Sequence, residues 1–244
     1  CGFMQICRFH SAEQVGQATA MLLGAQLLRK PDSVLGLATG STPIPTYREL
    51  VRLYQAGVLD FSRVTTYNLD EYVGIPENHE CSYHRFMKDN LFDQVNIRPE
   101  ATHVPDGNAR DLHATAAAYD EAIRRAGGID VQLLGIGRNG HIGFNEPADE
   151  FVYGCHVVNL TESTIEANKR FFTSVDDVPR KAISLGIGSI MEARQVLLIA
   201  TGEDKADAVA EAVNGDVSPK VQASILLTHR NVIFLLDEAA ASKL

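Results

Sequence analysis

The stretch LLGIGRNGHIGFNEP (133–147) brings Asn139, His141 and Glu146 together in one glycine-rich segment. An imidazole near a carboxylate can move protons around neutral pH. Gly135, Gly137 and Gly140 also match the G-x-G-x-x-G spacing of a dinucleotide loop. Such a loop runs into an amphipathic helix and is followed about 20 residues later by an acid. Here Gly143 and Pro147 oppose a helix, and the VVNL region (157–160) offers no acid before Glu162. The segment therefore reads as a loop presenting Asn139, His141 and Glu146 for proton transfer. A structural loop histidine bonded to backbone is the plainer alternative.

Other segments carry compatible chemistry. In ATGSTPIP (38–45), Thr39, Gly40, Ser41 and Thr42 precede Pro43, a residue that suits a helix start. Free N–H groups at such a start favour an anion, phosphate above all. No Walker lysine is present, so a nucleoside triphosphate is not expected. An ordinary capped turn would look the same. In NLDEYVG (68–74), Asp70 and Glu71 are adjacent, and neighbours on an extended chain point oppositely. Only one of them can face a shared cleft, which predicts a single general base or else a solvated turn. Arg170 in ANKRFF and Lys205 in TGEDK are candidate phosphate cations. HECSYH (79–84) matches no common zinc spacing, so His79, Cys81 and His84 read as a polar loop entering a helix.

Such groups, far apart in the chain, need a scaffold that gathers them. The short apolar runs VLGLAT (34–39), VTTYNL (64–69), VQLLGI (131–136), AISLGI (182–187), VLLIAT (196–201) and VIFLLD (232–237) read as buried strands. Helical patterns separate many of them: one opening at Ser11 and closed by Pro31, then 44–57, 82–92, 108–126 and 205–213. This alternation predicts an α/β fold with a doubly wound, mostly parallel sheet and helices on both faces. Residues 1–244 are read as one such domain, with ligands outside the carboxyl ends of the strands.

Bulk properties narrow the partners. Net charge is −9, with no basic stripe, so no nucleic-acid partner is expected. No apolar run is long enough for a membrane span, and nothing resembles a signal peptide. The four cysteines form no C-x-x-C pair, as expected of reduced thiols in a cytoplasmic protein. CGF precedes Met4; Met4 is the expected native start and residues 1–3 an expression scar.

Taken together and in order, LGLATGSTP, NLDEYVG, LLGIGRNGHIGFNEP and ANKRFF resemble the glucosamine-6-phosphate deaminase family over nearly the whole chain from about Gln5. That family is related to the 6-phosphogluconolactonases, which share its Rossmann-like fold and phosphate loop. The resemblance implies a catabolic amino-sugar enzyme that converts glucosamine 6-phosphate and water to fructose 6-phosphate and ammonia. It implies ring opening by His141, tuned by Glu146 and Asn139, and proton abstraction from C2 by Asp70. The phosphate is expected on Thr39, Gly40, Ser41, Thr42, Arg170 and Lys205. No metal or organic cofactor is implied. Some members carry Asp where this chain has Asn139. The allosteric branch supplies basic residues after FNEP, where this chain has ADEFVYGCHVV (148–158) with Asp149 and Glu150. A non-allosteric enzyme is expected, a monomer or small homo-oligomer. The alternatives are a sugar-phosphate lactonase and a non-catalytic sugar-phosphate sensor.

Overall fold

The computed structural model describes residues 3–244, without the side chains of Phe3 and Ala167; of the expected expression scar, Cys1 and Gly2 lie outside the described residues. The chain begins with β1 (Phe3–Phe9), α1 (Ala12–Arg29), β2 (Val34–Leu37), α2 (Ile44–Gln55), β3 (Thr65–Asn68) and β4 (Asp70–Tyr72). It continues with α3 (Tyr83–Asn90), β5 (Thr102–His103), α4 (Leu112–Arg125), β6 (Val131–Leu134), β7 (His156–Asn159) and α5 (Glu162–Asn168). It ends with β8 (Lys181–Ser184), α6 (Ile187–Met191), β9 (Gln195–Ala200), α7 (Ala206–Asn214) and β10 (Asn231–Asp237).

Seven strands form a parallel sheet in the order β1-β10-β9-β6-β2-β3-β5. Their continuous apolar runs follow from burial on both faces. In β9, Val196, Leu198 and Ala200 enter one core with α4, α6 and α7, while Leu197 and Ile199 enter the other with α1, α2 and α3. Successive side chains alternate faces, so both must be apolar. The expected doubly wound sheet is what the chain forms, with two further strands at its edges, β1 and β5, that the apolar runs do not mark.

One strand belongs elsewhere. By its apolar run AISLGI reads like the parallel strands, but β8 lies in a separate three-stranded antiparallel sheet, β4-β8-β7. The chain leaves β3, crosses Leu69 and enters β4 at once. Leu69 N donates to Leu37 O in the large sheet, and Leu69 O accepts from Leu185 N beside the small one. Asp70 thus sits where the two sheets part. A third apolar cluster, including Tyr72, Ile165 and Ala182, lies under the small sheet.

The order reverses between β2 and β6: β3 and β5 extend one way, β9, β10 and β1 the other. At such a switch point the loops after neighbouring strands diverge and leave a crevice at their carboxyl ends. The loops after β2 and β6 are the TGST and GRNGHIGFNEP segments.

Candidate active site

A cavity of about 550 Å³ opens at this switch point. Thr39, Gly40, Ser41 and Thr42 line it from the loop between β2 and α2. Gly40 has φ of 96°, a left-handed conformation that side chains rarely adopt, and nothing lies within 4 Å of where a Cβ would be. The loop is therefore open to the cavity at that point. Ile44 N spends its hydrogen bond on Ser41 O, and the loop feeds the positive end of α2. Tyr47, in the first turn of α2, ties the loop to its strand: its hydroxyl donates to Ala38 O at 2.5 Å and accepts from Ala38 N.

Asp70 faces the same cavity and Glu71 faces away, as the alternation along a strand requires. The Glu71 carboxylate is buried among donors. Tyr72 N, Tyr83 N, His84 N, the Ser82 hydroxyl and His84 Nδ1 all lie 2.7–3.1 Å from its oxygens. This pins the start of α3 and places Tyr83 in the cavity wall. The Asp70 carboxylate is buried too, but among the described residues it accepts no hydrogen bond. Burial first, and the Glu71 charge second, push its pKa up to about 8.

The third loop carries the imidazole. Asn139 Nδ2 donates to Glu146 Oε2 at 2.7 Å, which turns the amide oxygen toward His141. That oxygen lies 3.2 Å from His141 N and 2.7 Å from Nδ1. An amide oxygen only accepts, so Nδ1 carries the proton and Nε2 is left as the free acceptor. Burial holds the imidazole pKa below its ordinary value; Glu146 opposes this shift and Lys205 adds to it. Gly137 is required for space: a Cβ there would lie 2.0 Å from His141 Cε1. Gly143, with φ of 59°, brings the loop against Ser184, whose hydroxyl accepts from Phe144 N. Asn145 Nδ2 donates to Leu185 O. The small sheet thus fixes both Asp70 and the His141 loop.

Lys205 lines the cavity from the short 3₁₀ turn Glu203–Lys205, after Gly202 at φ of 95°. Its ammonium donates to Ile136 O at 2.7 Å, and burial lowers its pKa. Arg170 is placed differently. It lies on the 3₁₀ turn Lys169–Phe171, outside the cavity lining, with its guanidinium 4.6 Å from the Phe171 ring centre. The preceding residues Thr161, Ser163 and Thr164 do reach the cavity. These three, with Tyr83, Phe144 and Arg138, were missed from sequence. Arg138 carried a signal, a cation beside Asn139; the others are ordinary residues whose placement only the packing decides.

In the HECSYH segment, His84 pairs with Glu71 and His79 Nδ1 accepts from Cys81 N. Among the described residues no cluster of His, Cys, Asp and Glu is arranged to hold a metal ion. No helix among them is long and apolar enough to cross a membrane. A larger cavity, about 840 Å³ at the β5 edge, contains none of the predicted site residues.

Residues 9–234 match the family of glucosamine-6-phosphate isomerases and 6-phosphogluconolactonases. The chain is 55% identical to a glucosamine-6-phosphate deaminase of Clostridioides difficile, over 94% of this chain and 92% of that one. It is 53% identical to a glucosamine-6-phosphate deaminase of Halothermothrix orenii, over 99% and 100%. A solved monomeric glucosamine-6-phosphate deaminase superposes with a TM-score of 0.94 at 44% identity, covering 99% of this chain and all of that one. A 6-phosphogluconolactonase from Trypanosoma cruzi shares the fold, with a TM-score of 0.78 at 18% identity over 99% and 97%. The chain belongs to the glucosamine-6-phosphate isomerase and 6-phosphogluconolactonase family.

Proposed function

We propose that this chain is a glucosamine-6-phosphate deaminase, converting glucosamine 6-phosphate and water to fructose 6-phosphate and ammonia. One observation carries the reading: an unpartnered buried carboxylate, Asp70, shares a cavity with a neutral imidazole whose Nε2 is free. In the ring-opening step, His141 Nε2 takes the proton of the anomeric hydroxyl as the C1–O5 bond breaks, and that proton goes to O5. Asn139 and Glu146 hold the tautomer this requires. Asp70 then removes the C2 proton of the open aldehyde while O1 takes a proton from the C2 ammonium, leaving a neutral enolamine. Protonation at C1 gives the ketimine, and water at C2 releases ammonia.

Asp70 must be ionised to act, and its burial disfavours that. A protonated amine at C2 beside it would favour the carboxylate, so the substrate's own charge prepares the base. Thr39, Gly40, Ser41, Thr42 and Lys205 take the phosphate, with Arg170 joining once its segment closes. Phosphate binding holds the open chain in register, the role of a binding group remote from the reacting carbons. The relatives at 50–55% identity are named as deaminases, which favours this reading over lactone hydrolysis. The substrate partner is a phosphorylated amino sugar, the location cytoplasmic, and the assembly a monomer or small homo-oligomer, in keeping with the monomeric structural relative.

The test is a coupled ammonia assay with glucosamine 6-phosphate. Wild type should release ammonia, and Asp70→Asn should be slower by at least about a hundredfold, the lower end of general-base effects. Equal rates would remove Asp70 from this role. Acid release from 6-phosphogluconolactone without ammonia would point to the lactonase instead.

A further inference from the structure

Two cations line the cavity: Lys205, assigned to the phosphate above, and Arg138. Arg138 stands in the GRNGH turn, two residues beyond Ile136, whose carbonyl holds the Lys205 ammonium. Burial lowers the Lys205 pKa first, the nearby Asp204 carboxylate opposes this, and Arg138 is close enough to add to the lowering. Arg138 Nε donates to Asp204 Oδ2 at 3.0 Å. Its two terminal nitrogens have no hydrogen-bond partner among the described residues, and its side chain is 78% exposed against 46% for Asp204. In a protein of net charge −9, two neighbouring cations at the mouth of a cavity with an open glycine loop form a local exception. Their mutual repulsion is relieved by an anion between them. A guanidinium offers a planar pair of donors that fits phosphate.

We propose that Arg138 is a specificity-determining residue that grips the sugar phosphate with Lys205, and that Asp204 parks its guanidinium at the cavity mouth until the phosphate arrives. This rests on the deaminase reading for the identity of the ligand. It makes Asp204 a competitor of the phosphate, with a consequence of definite sign. If the Arg138–Asp204 pair only braced the 202–205 turn, removing either partner would weaken binding alike. If Arg138 binds phosphate, removing Arg138 weakens binding and removing Asp204 does not.

The experiment titrates fructose 6-phosphate and, separately, inorganic phosphate into wild type, Arg138→Gln and Asp204→Asn by calorimetry. Thermal unfolding checks that both variants are folded. Arg138→Gln should weaken both ligands about tenfold, as expected for loss of a hydrogen bond to a charged group. Asp204→Asn should bind both at least as tightly as wild type. Arg138→Gln within twofold of wild type overturns the proposal. So does Asp204→Asn weakening binding as much as Arg138→Gln, or a wild type that binds neither ligand. Failure of the deaminase reading shows separately, as absent ammonia release, while the phosphate titration still reports on Arg138.

Discussion

Asn139 lets the chemistry of the His141 loop be read at a single atom. Its amide satisfies Glu146 and His141 at once, with no charge of its own. The imidazole is accordingly neutral under the influence of burial, and only Glu146 pulls it toward the cation. A carboxylate in the same place would favour the protonated ring. Asn139→Asp should therefore raise the His141 pKa. Because ring opening uses the neutral base, the acid limb of the rate profile should move to higher pH. Following the His141 ring by NMR titration beside kcat/KM profiles would check this, and superimposable curves for the two proteins would refute it. The placement of Asp70 and Glu71 was readable at the same scale. Period two alone sends adjacent side chains apart, and the chain does send one into the cavity and the other into a nest of donors at the start of α3.

Among the elements, the strands were legible where burial on both faces demands unbroken apolar runs, as in β9 and β10. What hydrophobicity does not encode is the pairing partner. AISLGI is as apolar as its neighbours, yet it pairs antiparallel with Asp70, Glu71 and Tyr72. Where the Arg170 side chain comes to lie was illegible for a related reason: which side of a short element meets the cavity depends on packing. Its segment is weakly held. In α5 only Ile165 is buried among the described side chains, packed in the third apolar cluster, and the further ties are Asn168 to the Tyr72 hydroxyl and Phe172, which packs on that cluster with its ring stacked 4.6 Å from His79. Elements with few buried contacts open at low cost. Thr161, Ser163 and Thr164 already touch the cavity, and the phosphate role proposed for Arg170 requires this segment to move inward. Hydrogen exchange through residues 161–172 should slow on adding fructose 6-phosphate to wild type and slow less in Arg170→Gln. Identical exchange with and without ligand would leave the segment static and Arg170 outside the site.

Across the whole molecule, five carboxylates are buried among the described residues: Asp70, Glu71, Asp120, Asp130 and Asp237. Four are matched by donors. Glu71 caps α3, Asp120 accepts from Cys155 N and Ser189, Asp130 meets Lys30, Arg194 and Val34 N, and Asp237 holds Gly202 N and Ala240 N. Asp70 alone lacks a partner, so the fold bears a cost there that the other four sites avoid. Its folded pKa, about 8, lies above the ordinary 3.8. Between those values the folded state keeps a proton that the unfolded chain has lost. Stability must therefore fall as pH rises through that window and level off above it. Each unit of displacement corresponds to about 1.4 kcal/mol, so the full penalty is on the order of a few kcal/mol. Asp70→Asn cannot ionise and escapes it. Urea unfolding of both proteins from about pH 5 to about pH 9 should show the variant gaining on wild type as pH increases. Burying an unpaired amide shifts the difference by a constant and leaves its slope unchanged. A flat difference across that range would mean that Asp70 is not held in its protonated form, and that the scaffold gives up no stability to keep its base unpaired.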